Sequence, residues 1–312
     1  MEKLRRFINP YLLGFITIYV LNFSLATYYN TFNTSEVIGV IVIIGILFSG
    51  IAWLISRRAK ELIRPKSFES GEIYVLLSLV IYISMVLIPG NKILFVSTES
   101  GTVSHEVITI IRKVFTFVVL PFLVYRFAYR FKWEDFGLSL RFKEVFTKKN
   151  VLILLVMGTV VLLLNYFAGN GAKPIREGPY SASQLIIGLP LLFVWLFIEV
   201  GLVEEFFFRG LLQNRLTQHF NSGIAAICVT SLIFGIVHAP GMYLRNAGVL
   251  DGIGEAPSLF TSLSYCIAVQ SLPGFFFGII WHKTKNLWLL MAIHALVDLL
   301  PGFPEFVSVW GI

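Results

Sequence analysis

Long apolar runs, separated by short stretches rich in Lys, Arg, Gly and Pro, recur along almost the whole chain. A helix needs about 20 apolar residues to cross the hydrocarbon core of a bilayer. By that measure the pattern predicts helices over roughly 11–29, 36–56, 73–90, 107–130, 151–168, 184–205, 224–240, 264–281 and 286–301. No segment shows the ten-residue alternation of a barrel strand. Continuous apolar runs suit helices, which satisfy their own backbone in lipid. The expected fold is therefore all-α, a polytopic helical bundle with eight or nine transmembrane helices. The first run follows MEKLRRFINP and is too long for the apolar core of a signal peptide, so it is expected to be retained as a span.

Composition agrees with the pattern. The 312 residues are 56% hydrophobic and 14% charged, whereas soluble domains are about a quarter charged. A net charge of +7 would suit a nucleic-acid partner, but the cations sit in short connections between apolar runs. Taken in alternation, the connections on the N-terminal side hold 19 of the 25 Lys and Arg, and those on the other side hold 4. That bias predicts an integral protein of the plasma membrane with a cytoplasmic N-terminus, in contact with the lipid bilayer and with no nucleic-acid partner. The remaining two cations, Arg112 and Lys113, fall inside a run and are expected to snorkel. Cys228 and Cys266 lie in apolar runs without a CxxC pair, so they read as core residues.

Ionisable residues inside spans are expensive to bury, so each one is a functional candidate. The late segments hold three sets. In VEEFFFRG, Glu205 and Arg209 are four apart and can pair along one helix face. Glu204 is turned about 100° from Glu205 and is left to face something else. In SLIFGIVHAP, Phe234 and His238 are four apart, and in AIHALVDLL, His294 and Asp298 are four apart. Two histidines and several carboxylates on three helices can form one polar pocket. A carboxylate beside a histidine can activate water for attack on a carbonyl, and donors opposite can hold the oxyanion that develops. HExxH, GxGD and GxSxG motifs are absent; HEVIT at 105–109 and GIGE at 252–255 are near misses. Glu199 is a further intramembrane carboxylate, expected to line the cavity or pair with a base. Phe206 to Phe208 read as lipid-facing or packing residues.

The ordered set EExxxR, FxxxH and HxxxD resembles the CPBP family, the CAAX prenyl endopeptidases and bacteriocin-processing or immunity proteins also called Abi. The resemblance covers roughly 184–302 and divides the chain into motif-free N-terminal helices, 1–150, and a protease-like core, 151–312. It implies a glutamate-dependent intramembrane endopeptidase acting on a peptide or a protein C-terminus at the membrane. In that reading Glu204 is the base that activates water and His238 assists it. His294 and Asp298 hold the oxyanion, and Glu205, Arg209 and Phe234 are structural supports. The prenyl-endopeptidase branch commonly has Asn where this chain has Asp298. An ionised Asp cannot donate to an oxyanion, so Asp298 must be protonated or must orient His294. No cofactor is implied. A zinc ion on His238, His294 and a carboxylate is the alternative chemistry. The alternative functions are a non-catalytic immunity or regulatory protein of the same fold and a proton-coupled transporter. No repeated pair of broken helices supports the transporter.

Overall fold

A computed structural model describes residues 9–87, 101–167, 172–244 and 257–312. Its main elements are α1 (Pro10–Tyr28), α2 (Thr34–Ser56), α3 (Glu72–Leu87), α4 (Val103–Tyr129), α5 (Lys148–Phe167), α6 (Ala182–Phe220), α7 (Gly223–Leu244), α8 (Leu259–Thr284) and α9 (Leu287–Trp310). All but α3 are long and apolar enough to span a membrane. Among the described residues there is no strand. The last residues of the expected third span, and most of the connection expected over 241–263, lie outside the described residues.

The helices start where short polar side chains can cap free backbone N–H groups. Asn9 Oδ1 accepts from Tyr11 and Leu12 ahead of α1, and Ser222 Oγ accepts from Ala225 at α7. Ser181 and Gln184 bond reciprocally at α6, and Asn286 accepts from Leu289 at α9.

Two spans run well past the C-terminal ends that their sequence patterns suggest. The expected segment 184–205 is the first part of α6, which continues to Phe220 and has 39 residues. At 1.5 Å per residue that is about 58 Å, nearly twice the hydrocarbon thickness. The charges after 203 do not end the helix, because they are buried in pairs. Arg209 meets Glu205, and Arg215 pairs with Glu72 and donates to the carbonyls of Lys66 (2.9 Å) and Ser67 (2.8 Å). Neither arginine is a loop cation, so both leave the tally behind the expected orientation. The last helix continues past 301 through Pro301 and Pro304 to Trp310. Pro301 has no N–H for the carbonyl of Val297, and the amide of Asn165 donates to that oxygen instead (2.8 Å).

The chain forms two compact units. One comprises Met1–Arg58, Pro65–Phe95 and Leu212–Lys283. The other comprises Ala59–Arg64, Val96–Leu211 and Thr284–Ile312. In the first, Ala26, Phe32, Val37, Ala239, Met242, Cys266 and Val269 form an apolar core. Cys228 and Cys266 are free and buried there, as their apolar setting implied. In the second, Leu192 and Leu196 of α6 pack on Ala295, Leu299, Phe303 and Phe306 of α9.

Candidate functional site

The site is built in the second unit, where α6 meets α9. Two wide, π-helical turns, Phe197–Leu202 and Phe206–Gln213, flank the short stretch Val203–Glu205. Such turns insert an extra residue into a helix and redirect the side chains around them. Gly201 lets the helices touch: a Cβ there would lie 2.7 Å from the carbonyl oxygen of Met291. Three residues beyond Met291 comes His294.

Glu205 and Arg209 are fully buried, and Arg209 Nη1 donates to Glu205 Oε1 at 2.9 Å. The same oxygen lies 2.6 Å from Nδ1 of His294. An oxygen that already accepts from a guanidinium accepts here too, so the short contact makes Nδ1 the donor. That bond fixes the imidazole and turns Nε2 the other way. Nε2 faces Glu204 Oε2 at 3.9 Å and Asp298 Oδ2 at 3.7 Å, which is reach for charge attraction and too long for hydrogen bonding. Side-chain exposure grades outward, from 0% at Glu205 and 7% at His294 to 21% at Glu204 and 40% at Asp298. One guanidinium and one imidazole thus face three carboxylates.

The EExxxR and HxxxD motifs therefore meet. Sequence spacing paired Glu205 with Arg209 but missed the bond from His294 to Glu205, because that contact crosses 89 residues. Phe234 and His238 lie on α7 in the first unit. There the four-residue spacing sets the His238 ring 4.9 Å from that of Phe234 and puts Nδ1 2.7 Å from the Phe234 carbonyl. A carbonyl only accepts, so Nδ1 carries the proton and Nε2 is an acceptor in the neutral ring.

The contacts decide between the alternatives left open for other residues. Phe206, Phe207 and Phe208 do not face lipid: each is at most 1% exposed. Phe206 stacks on Phe136 at 4.7 Å, and Phe207 meets the edge of Phe117 at 5.9 Å. Glu199 has the partner that the sequence left open, the ammonium of Lys113, which therefore pairs inside the bundle instead of snorkelling.

A cavity of about 250 Å³ lies beside this region of α9, lined by Phe146, Leu154, Phe193, Phe197, Trp288 and Ala292 among others. Asn150 and Asn286 also line it, and both donate to the carbonyl of Val145, at 2.8 and 2.9 Å. Among the described residues no group of three or more His, Cys, Asp and Glu side chains is arranged to hold a metal ion.

Residues 186–300 match the family model described as type II CAAX prenyl endopeptidase Rce1-like. The match takes in all three motifs. No curated protein and no solved structure matches the chain.

Proposed function

From the match of residues 186–300 to the Rce1-like family model, we propose that the chain is an intramembrane endopeptidase that hydrolyses a peptide bond with water activated by Glu204. The observation that carries this reading is the shared oxygen of Glu205. It holds Arg209 and His294 together and leaves Nε2 of His294 aimed at Glu204 and Asp298.

The chemistry follows from the donors and acceptors present. Glu204, more open than its neighbour, takes a proton from water, and the hydroxide adds to the carbonyl carbon of the scissile bond. The family resemblance gives the assisting role to His238, whose Nε2 accepts while its Nδ1 is held by the Phe234 carbonyl. The tetrahedral intermediate carries an oxyanion, which needs a donor. His294 donates from Nε2 when it carries protons on both nitrogens. Collapse breaks the C–N bond, and the proton held on Glu204 passes to the leaving amine. In this scheme Asp298 acts by holding the imidazolium and need not donate itself. Its oxygen facing Nε2 supports that role over a direct oxyanion contact.

The substrate class we propose is a peptide or a protein C-terminal tail at the membrane, and the apolar cavity beside α9 suits an apolar group on it. The test is cleavage of a fluorogenic peptide library by purified protein in liposomes. Glu204→Gln is expected to lower the rate by roughly 100- to 10,000-fold, the usual contribution of a general base. Unchanged cleavage by that variant overturns the mechanism. A cellular effect that persists in it favours the non-catalytic regulatory protein.

A further inference from the structure

We propose that stripes of ionisable side chains on α4, α6 and α9 line a water conduit, running from the membrane face where α4 begins to Glu204. The proposal rests on the peptidase reading for its use, since a hydrolase within a bilayer must draw water from outside the hydrocarbon. Its geometry stands apart from that reading.

On α4, Glu106 and Lys113 are seven residues apart and share a face, because two helical turns take 7.2 residues. The lipid-facing side of the same helix is marked by Val103, Val107, Ile111 and Phe115, all exposed. The polar stripe is turned well away from them. On α9, His294, Asp298 and Glu305 lie at i, i+4 and i+11, which is again one stripe, since eleven residues make three turns. On α6, Glu199 and Glu204 are five apart and would diverge by about 140° in a regular α-helix. The wide turn over Phe197–Leu202 narrows that divergence, because its inserted residue makes five positions behave nearly as four do in a regular α-helix.

The stripes are joined. Lys113 of α4 and Glu199 of α6 form an ion pair whose side chains keep 30% and 15% exposure in the middle of spanning helices. Glu106 lies within electrostatic reach of Glu199, Glu305, His105 and Lys113. Depth along the helices is consistent too. Glu106 stands two turns before Lys113, Glu305 stands about 16 Å from His294 at 1.5 Å per residue, and Glu204 and Asp298 lie beside His294. The set therefore descends from Glu106 and Glu305, through Lys113 and Glu199, to the candidate site. It holds more carboxylates than cations. Such a set is costly in hydrocarbon and is tolerated where it faces water.

Cysteine accessibility tests the conduit without relying on activity. Glu106→Cys, and Lys113→Cys combined with Glu199→Gln so that no carboxylate loses its partner, are compared in sealed liposomes with Ile111→Cys on the lipid side of α4. Ser104→Cys marks the face where α4 begins. The wild type, whose Cys228 and Cys266 are buried, serves as the blank. A membrane-impermeant methanethiosulfonate reacts with thiolates and needs water to reach them. Labelling at 106 and 113 is expected to exceed that at 111 by on the order of tenfold or more, and from the Ser104 face. Rates no higher than at 111, or labelling only from the opposite face, overturn the conduit. Cleavage by the Glu204→Gln variant, measured separately, shows whether the peptidase reading has failed instead.

Discussion

At the scale of single residues, Glu205 does more than neutralise Arg209. Its Oε1 accepts from both Arg209 and His294, so removing its charge leaves a buried guanidinium without its counterion. Breaking one side of a buried pair costs about 3–5 kcal/mol, whereas replacing both partners with neutral side chains of similar volume is often close to neutral. Glu205→Gln is therefore expected to lower the thermal midpoint in detergent sharply, and the double variant Glu205→Gln with Arg209→Met to regain most of it. If Glu205 also positions His294, peptide cleavage stays at least about tenfold down in the double variant, with the loss in kcat and not in KM. Recovery of both stability and kcat would make the residue purely structural. The sequence showed the Glu205–Arg209 half of this arrangement, because helical periodicity makes residues four apart neighbours. The half contributed by His294 depends on how α6 docks on α9, and local spacing carries no information about that.

At the scale of elements, the spans were legible because long apolar runs have few alternatives to membrane helices. Their ends were less so. Charges at 204, 205, 209 and 215 read as a helix terminus, yet α6 passes through them because pairing removes the cost that charge usually brings. The wide turns of α6 were also hidden, since an inserted residue leaves no mark in hydropathy. They matter to the site, because they set which way Glu199 and Glu204 face. Gly201 sits within the first of these turns and holds α6 against the backbone of α9. Gly201→Ala would put a methyl group 2.7 Å from the Met291 carbonyl, so the helices must part. Overpacking of this kind costs about 1–3 kcal/mol. Cleavage should fall by more than stability alone explains, because separating the helices draws Glu205 from His294. A Gly201→Ala protein with wild-type cleavage and an unchanged thermal midpoint would show that the close approach is not needed.

At the scale of the whole molecule, each compact unit is assembled from distant parts of the chain, and α8 and α9 are joined by a short connection that includes Lys285. That lysine lies outside the spans, in left-handed backbone (φ 50°), and is 2% exposed. Burial lowers its pKa from 10.5 to about 8, against a smaller opposing effect from Glu61. The folded state thus gives up the proton more readily than the unfolded chain. Between about pH 8 and 10.5 the unfolded chain binds more protons, so stability rises with pH across that window and is flat on either side of it. A difference of this size corresponds to about 3 kcal/mol in total, at 1.36 kcal/mol per pKa unit. Unfolding in detergent, followed at intervals from pH 7.5 to 10.5, should show the wild type gaining stability while other titrating groups set a common background. Lys285→Met has no proton to lose, so its stability should follow that background alone and exceed the wild type most at the neutral end. Parallel curves for the two proteins would mean that Lys285 keeps its charge when folded, held there by neighbours stronger than the burial that opposes it.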